Sequence, residues 1–108
     1  MTKEFVENLG WKYTQLWNNR EIYSFNNNFT IVEHNGSWSI ALEDDLYYIE
    51  CVTEKMLEEF TNYIKEALAI SSDPNNHTLG EYARAVKKIS DFYNKYEDYE
   101  PEDLDENV

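Results

Sequence analysis

Cysteine is almost missing from this chain. Cys51 stands alone, so no internal disulfide can form and the small secreted classes held together by disulfides are excluded. Glycine and proline are also scarce, at three and two in 108 residues. The glycines at positions 10, 36 and 80 lie too far apart to build a phosphate-cradling loop. No stretch approaches the roughly 18 apolar residues of a membrane span, and the N-terminus lacks the apolar run of a signal peptide, which points to a cytoplasmic protein. Positive charge is the fourth shortage: 9 lysines and arginines face 22 aspartates and glutamates, a net charge of -13. Direct binding to nucleic acid or to an anionic membrane needs the opposite sign, so the charge favours a basic protein surface as partner.

Aromatic residues, by contrast, are abundant at 16% of the chain, far from the composition of a disordered protein. Length and composition together predict one folded domain over residues 1–100 and a disordered acidic tail over 101–108. The charge is unevenly spread. Residues 43–59 hold seven acids against Lys55, and residues 91–108 hold eight against Lys95. The remaining segments, 1–42 and 60–90, nearly balance, so two blocks supply the whole net charge.

Residues 3–17 set Phe5, Val6, Leu9, Tyr13, Leu16 and Trp17 at helical spacing, with Asn18-Asn19 as the stop. The next segment reads as an antiparallel meander. Asn35-Gly36 is a type I′ hairpin signal, because both central residues of that turn need positive φ. It sets Ser37 opposite His34, Trp38 opposite Glu33 and Ile40 opposite Ile31. A turn at Asp44-Asp45 then places Tyr47 beside Leu42, Ile49 beside Ile40 and Cys51 beside Trp38, and a three-residue turn at 26–28 places Phe25 against Phe29 and Tyr23 against Ile31. All three turns put the apolar rows on one face and leave Ile22, Val32, Leu46 and Tyr48 on a more polar one.

Residues 54–70 form an amphipathic helix capped by Thr53, with Met56, Leu57, Phe60, Tyr63, Ile64, Ala67 and Leu68 as its apolar stripe. Thr78 and Glu81 fit a capping box that opens a further helix, whose stripe is Leu79, Tyr82, Ala83, Val86, Ile89, Tyr93 and Tyr96. The predicted fold is α+β: an N-terminal helix, a four-stranded antiparallel meander, then two helices packed on one face of the sheet.

Catalysis needs a positioned base near a nucleophile or a metal. His34 sits beside a turn and His77 in a loop, both read as exposed turn residues, and Cys51 is read as a small core residue. Glu43, Asp44 and Asp45 could be imagined around a cation, but residues 43–54 lack the central glycine of a calcium-binding loop. The expectation is a protein that is not an enzyme, with no catalytic residue, no cofactor and no metal. What stands out instead is acid interleaved with tyrosine: Glu43, Asp44, Asp45, Tyr48, Glu50, Glu54, Glu58 and Glu59 in the first block, and Asp91, Tyr96, Glu97, Asp98, Tyr99 and Glu100 in the second. Carboxylates can stand in for phosphates and flat rings for bases, and basic side chains also stack on tyrosine.

In these features, Glu43-Asp44-Asp45 at a sheet edge, Glu54, Glu58 and Glu59 along a helix, and Asp91, Glu97, Asp98 and Glu100 near the end of another, the chain resembles the small acidic DNA-mimic inhibitors of phages, anti-CRISPR proteins among them. The likeness is one of general plan and charge. It implies an inhibitor that fills the basic nucleic-acid channel of a nuclease or another DNA-processing complex, in the host cell cytoplasm if phage-encoded. A structural or adaptor module, as a homodimer or a complex subunit, and an immunity protein against a basic toxin are the alternatives.

Overall fold

The computed structural model describes residues 1–42 and 47–97, and of Leu42, Tyr47 and Glu97 the backbone only. The expected turn at Asp44-Asp45 and the tail over 101–108 lie outside the described residues. The architecture is α+β, with a short N-terminal helix, an antiparallel sheet and two C-terminal helices. Two compact units divide the chain, Met1–Met56 and Leu57–Val108.

In the first unit, α1 spans only Lys3–Asn8, its start capped by the Thr2 hydroxyl, which accepts from the Phe5 amide. The helix expected over 3–17 is therefore corrected: Lys12–Trp17 is strand β1, and the sheet has five strands, not four. Gly10 explains the break. Its φ of +112° is open to glycine but strained for other residues, and a Cβ there would lie 2.8 Å from the Phe25 ring. The chain turns over this close approach and buries Trp11, edge-on to Phe25 at 5.4 Å between ring centres.

Asn18 and Asn19, read as a helix stop, are the two central residues of a hairpin joining β1 to β2 (Arg20–Phe25), both at positive φ. Asparagine and aspartate are the non-glycine residues that visit that region routinely, because a short polar side chain can hydrogen-bond locally. The same chemistry recurs at Asn26 and Asn27 before β3 (Phe29–His34), and at Asn35 and Gly36 before β4 (Ser37–Leu42). The Glu33 carboxylate braces the last turn by accepting from the Gly36 amide at 2.7 Å. Strand β5 (Tyr47–Ile49) closes a simple meander, β1 to β5 in order.

The register is the expected one. Phe25 faces Phe29, Trp38 faces Glu33, Ser37 faces His34, and Tyr47 faces Leu42. Tyr23, Ile31, Ile40 and Ile49 form one cross-strand row, each almost fully buried. Tyr23 also contacts Trp38, with ring centres 5.5 Å apart. Cys51 departs from expectation. It is exposed at a φ of +58°, a kink that ends the strand and turns the chain so that Val52 takes the buried place and its amide donates to the Trp38 carbonyl.

The second unit holds most of α2 (Glu54–Ser71) and all of α3 (Leu79–Glu97), with a 3₁₀ turn at Pro74–Asn76 between them. The Thr53 hydroxyl caps α2 by accepting from the Met56 amide, and Leu57, Phe60, Ile64 and Ala67 are buried at the expected spacing. The capping box at Thr78 and Glu81 is formed in both directions, at 3.1 and 2.9 Å. The stripe expected on α3 is corrected in its first half. Leu79, Tyr82, Ala83 and Val86 are exposed, whereas Ile89 is buried and Tyr93 and Tyr96 half-buried as expected, and Ala85 and Phe92 join them. Phe60 decides this rotation: Phe92 stacks on it at 5.0 Å, and Tyr93 tilts against it at 5.7 Å. A phenylalanine brings about 2–3 kcal/mol of burial, more than an alanine or a single valine can offer.

Candidate interaction surface

The period of the sheet places the first acidic block. Ile49 points into the core, so Tyr48, one residue earlier and opposite Ala41, points to the other face, where it is 44% exposed. Glu50 follows β5 and is exposed. Glu54 begins α2, where the helix dipole favours an anion, and Glu58 lies one turn further along, about 6 Å of helix axis away. Both are exposed, and neither is in an ion pair among the described residues. Glu59 is half-buried and accepts a 2.8 Å hydrogen bond from the Tyr63 hydroxyl, which raises the pKa of that phenol. Glu43, Asp44 and Asp45 lie outside the described residues.

The second block starts in α3. Asp91 is exposed but paired with Lys87, one turn earlier, at 3.0 Å. Tyr96 is half-buried, its ring 4.8 Å from Phe92, with the Lys95 ammonium 4.9 Å from its centre. Of Glu97 only the helical backbone is described, and Asp98, Tyr99 and Glu100 lie outside the described residues. The packing of Phe60 on Phe92 brings parts of both blocks together: the Lys95 pKa is raised, first by hydrogen bonding to Tyr96 and then by the Glu59 carboxylate of α2. Tyr93, beside them, is pushed up to about 12 by burial.

The acid is not a bare field. Lys88 of α3 reaches Glu66 of α2 at 3.1 Å, so lysines answer some of the carboxylates between the helices. The spacing of Lys87 and Asp91 was readable as a helical i,i+4 pair, whereas Lys88–Glu66 depends on how α3 is rotated.

Elsewhere, polar side chains have local duties. The His34 ring lies 3.2 Å from the Asn19 carbonyl, and His77 pairs with Glu81 at 3.1 Å; both histidines are half-buried rather than exposed. Glu81 is held below its ordinary pKa, by the Thr78 amide first and then by His77. A cavity of about 360 Å³ lies in the α2–α3 connection, lined by Ile70, Ser71, Pro74, His77, Thr78, Leu79 and Tyr82. Its Thr78 hydroxyl is already spent on the helix cap. Among the described residues, no group of three His, Cys, Asp or Glu side chains could hold a metal ion, and no helix is long and apolar enough to cross a membrane.

α2 and α3 thus carry exposed carboxylates, some of them answered by lysines, and Glu59 of α2 acts on Lys95 of α3. Compared with known protein families, curated proteins and solved structures, the chain matches none.

Proposed function

We propose that the protein is a non-enzymatic acidic binding module that occupies the basic nucleic-acid-binding surface of a nuclease or another DNA-processing complex, acting as a DNA mimic. The observation that carries this reading is the exposure of Glu54 and Glu58 along one helix, neither in an ion pair among the described residues, in a chain of net charge -13. Exposed charge of one sign steers association with the opposite sign and deters nucleic acid itself. The Tyr96 ring already holds the Lys95 ammonium at 4.9 Å, and the exposed Tyr48 offers a partner's basic side chains the same kind of contact.

Displacement of a labelled DNA duplex from purified DNA-processing complexes tests the proposal. The protein should compete, and competition should weaken as salt is raised and on neutralising Glu54, Glu58 and Asp91 to their amides. Competition that survives both treatments would sink it. A basic toxin as the sole partner would select the immunity reading, which shares this physics. The adaptor reading draws on a different feature, the exposed apolar residues of β1.

A further inference from the structure

Strand β1 is an outer strand of the sheet, and all six of its residues are exposed. Tyr13, Leu16 and Trp17 are 48%, 62% and 59% exposed, three of the large apolar side chains that meet water in this chain. Such an edge offers a row of unpaired backbone groups to another strand, and proteins usually guard it with charge. Here Lys12 is the only charge in the strand. We infer that β1 is the self-association surface of this protein, pairing antiparallel with β1 of a second copy about a two-fold axis.

The bulge at Thr14 makes this strand self-complementary. Tyr13 faces Tyr23 and Leu16 faces Glu21, and Tyr23 and Glu21 share a face of β2, so Tyr13 and Leu16 share a face of β1. Lys12 and Trp17, facing Ser24 and Arg20, lie together on the other face. In a regular strand, residues three or five apart lie on opposite faces and cannot meet their own copies across a two-fold axis. With one extra residue they can. An antiparallel copy then sets Tyr13 against Leu16 on one face, and Lys12 against Trp17 on the other, an aromatic–aliphatic pair and a cation–π pair, each made twice.

The self-complementary pairing selects a second copy as the occupant, and the distribution of charge permits it. Two chains of net charge -13 repel, and the repulsion comes from residues 43–59 and 91–108, whereas residues 1–42 nearly balance. Glu21, opposite Leu16 of β1, is already paired with Lys3 at 2.8 Å, which holds its carboxyl below the usual range. The β1 edge is thus a neutral, apolar strip on an acidic molecule, where two copies can meet at least electrostatic cost.

This inference is independent of the proposed acidic competition and is tested without a partner. Sedimentation of the full chain should show a concentration-dependent dimer that strengthens as salt screens the acidic blocks. Leu16→Lys and, separately, Trp17→Glu should each weaken it by about tenfold or more, with the near-UV circular dichroism of the monomer preserved. Hydrogen exchange at the amides of residues 12–17 should slow as the dimer forms. A strict monomer at every concentration overturns the inference. So does a dimer that ignores both substitutions, or one that leaves β1 amide exchange unchanged.

Discussion

The sheet unit and the helical unit place their aromatic residues by different rules. In the sheet, turn chemistry sets both pairing and face: Asn18-Asn19, Asn26-Asn27 and Asn35-Gly36 each take positive φ, and Tyr23, Ile31, Ile40 and Ile49 follow into one buried row. In α3 no local residue sets the rotation. Leu79, Tyr82, Ala83 and Val86 continue the line of Ile89 as well as Ala85 and Phe92 do, and the stacking of Phe92 on Phe60 separates the two choices. Backbone chemistry fixes a strand register locally, whereas a helix with two apolar stripes is oriented by its partner.

The largest expected effect breaks the helical side of that contrast. Phe60→Ala should cost about 3–5 kcal/mol of unfolding free energy in urea, since it removes the ring on which α3 is oriented. Leu79→Ala, on the exposed stripe, should stay within about 0.5 kcal/mol. Equal losses at the two positions would contradict the observed rotation.

Glycine substitutions sharpen the comparison by sign. Gly10→Ala meets the Phe25 ring at 2.8 Å in a left-handed backbone and should lose about 2 kcal/mol or more. Gly36→Ala, also at positive φ but in open space, should lose about 1–2 kcal/mol. Gly80→Ala lies in α3 with only ordinary contacts, and should gain up to about 1 kcal/mol. Thermal denaturation of the three variants reads all of these.

Smaller effects come from the start of α3. Thr78→Ala removes an N-cap and should cost about 1 kcal/mol in urea unfolding. Glu81 holds its proton less tightly when folded than in the open chain, because the Thr78 amide and His77 favour its carboxylate. Its contribution is therefore fully present above the ordinary value of 4.5 and is lost as pH falls through its lowered folded value. Helicity followed by circular dichroism should decline in that acid range, and Glu81→Gln should remove this part of the decline.

Much of the fold was legible for these same reasons. Alternation and turn signals predicted the register of β2 to β5 up to Ile49, and the caps at Thr53 and Thr78 were readable as sequence. The N-terminal segment misled because its bulge imitates a helix: the extra residue at Thr14 puts Tyr13 and Leu16 on one face three positions apart, the i,i+3 spacing of an α-helix. Asn18-Asn19 carried the correcting signal, since two residues tolerant of positive φ between apolar runs make a hairpin as readily as a helix stop. Cys51 could not be read from alternation, because a kink at positive φ interrupts the period at that residue. Of the candidate surface, the exposed places of Tyr48, Glu54, Glu58 and Asp91 were legible from period alone. The pairing of Glu66 with Lys88, and the meeting of Glu59 with Lys95, depend on the α2–α3 contact, which one sequence encodes only through volume and fit.

The proposed role rests on charge, so displacement of a labelled DNA duplex from a DNA-processing complex, followed as salt is raised, tests it most directly. Wild-type protein should displace the duplex at low salt and lose that ability steadily as salt rises, and the variant with Glu54, Glu58 and Asp91 changed to amides should begin weaker and respond less. Displacement that is indifferent to salt and to those three substitutions would contradict the proposal.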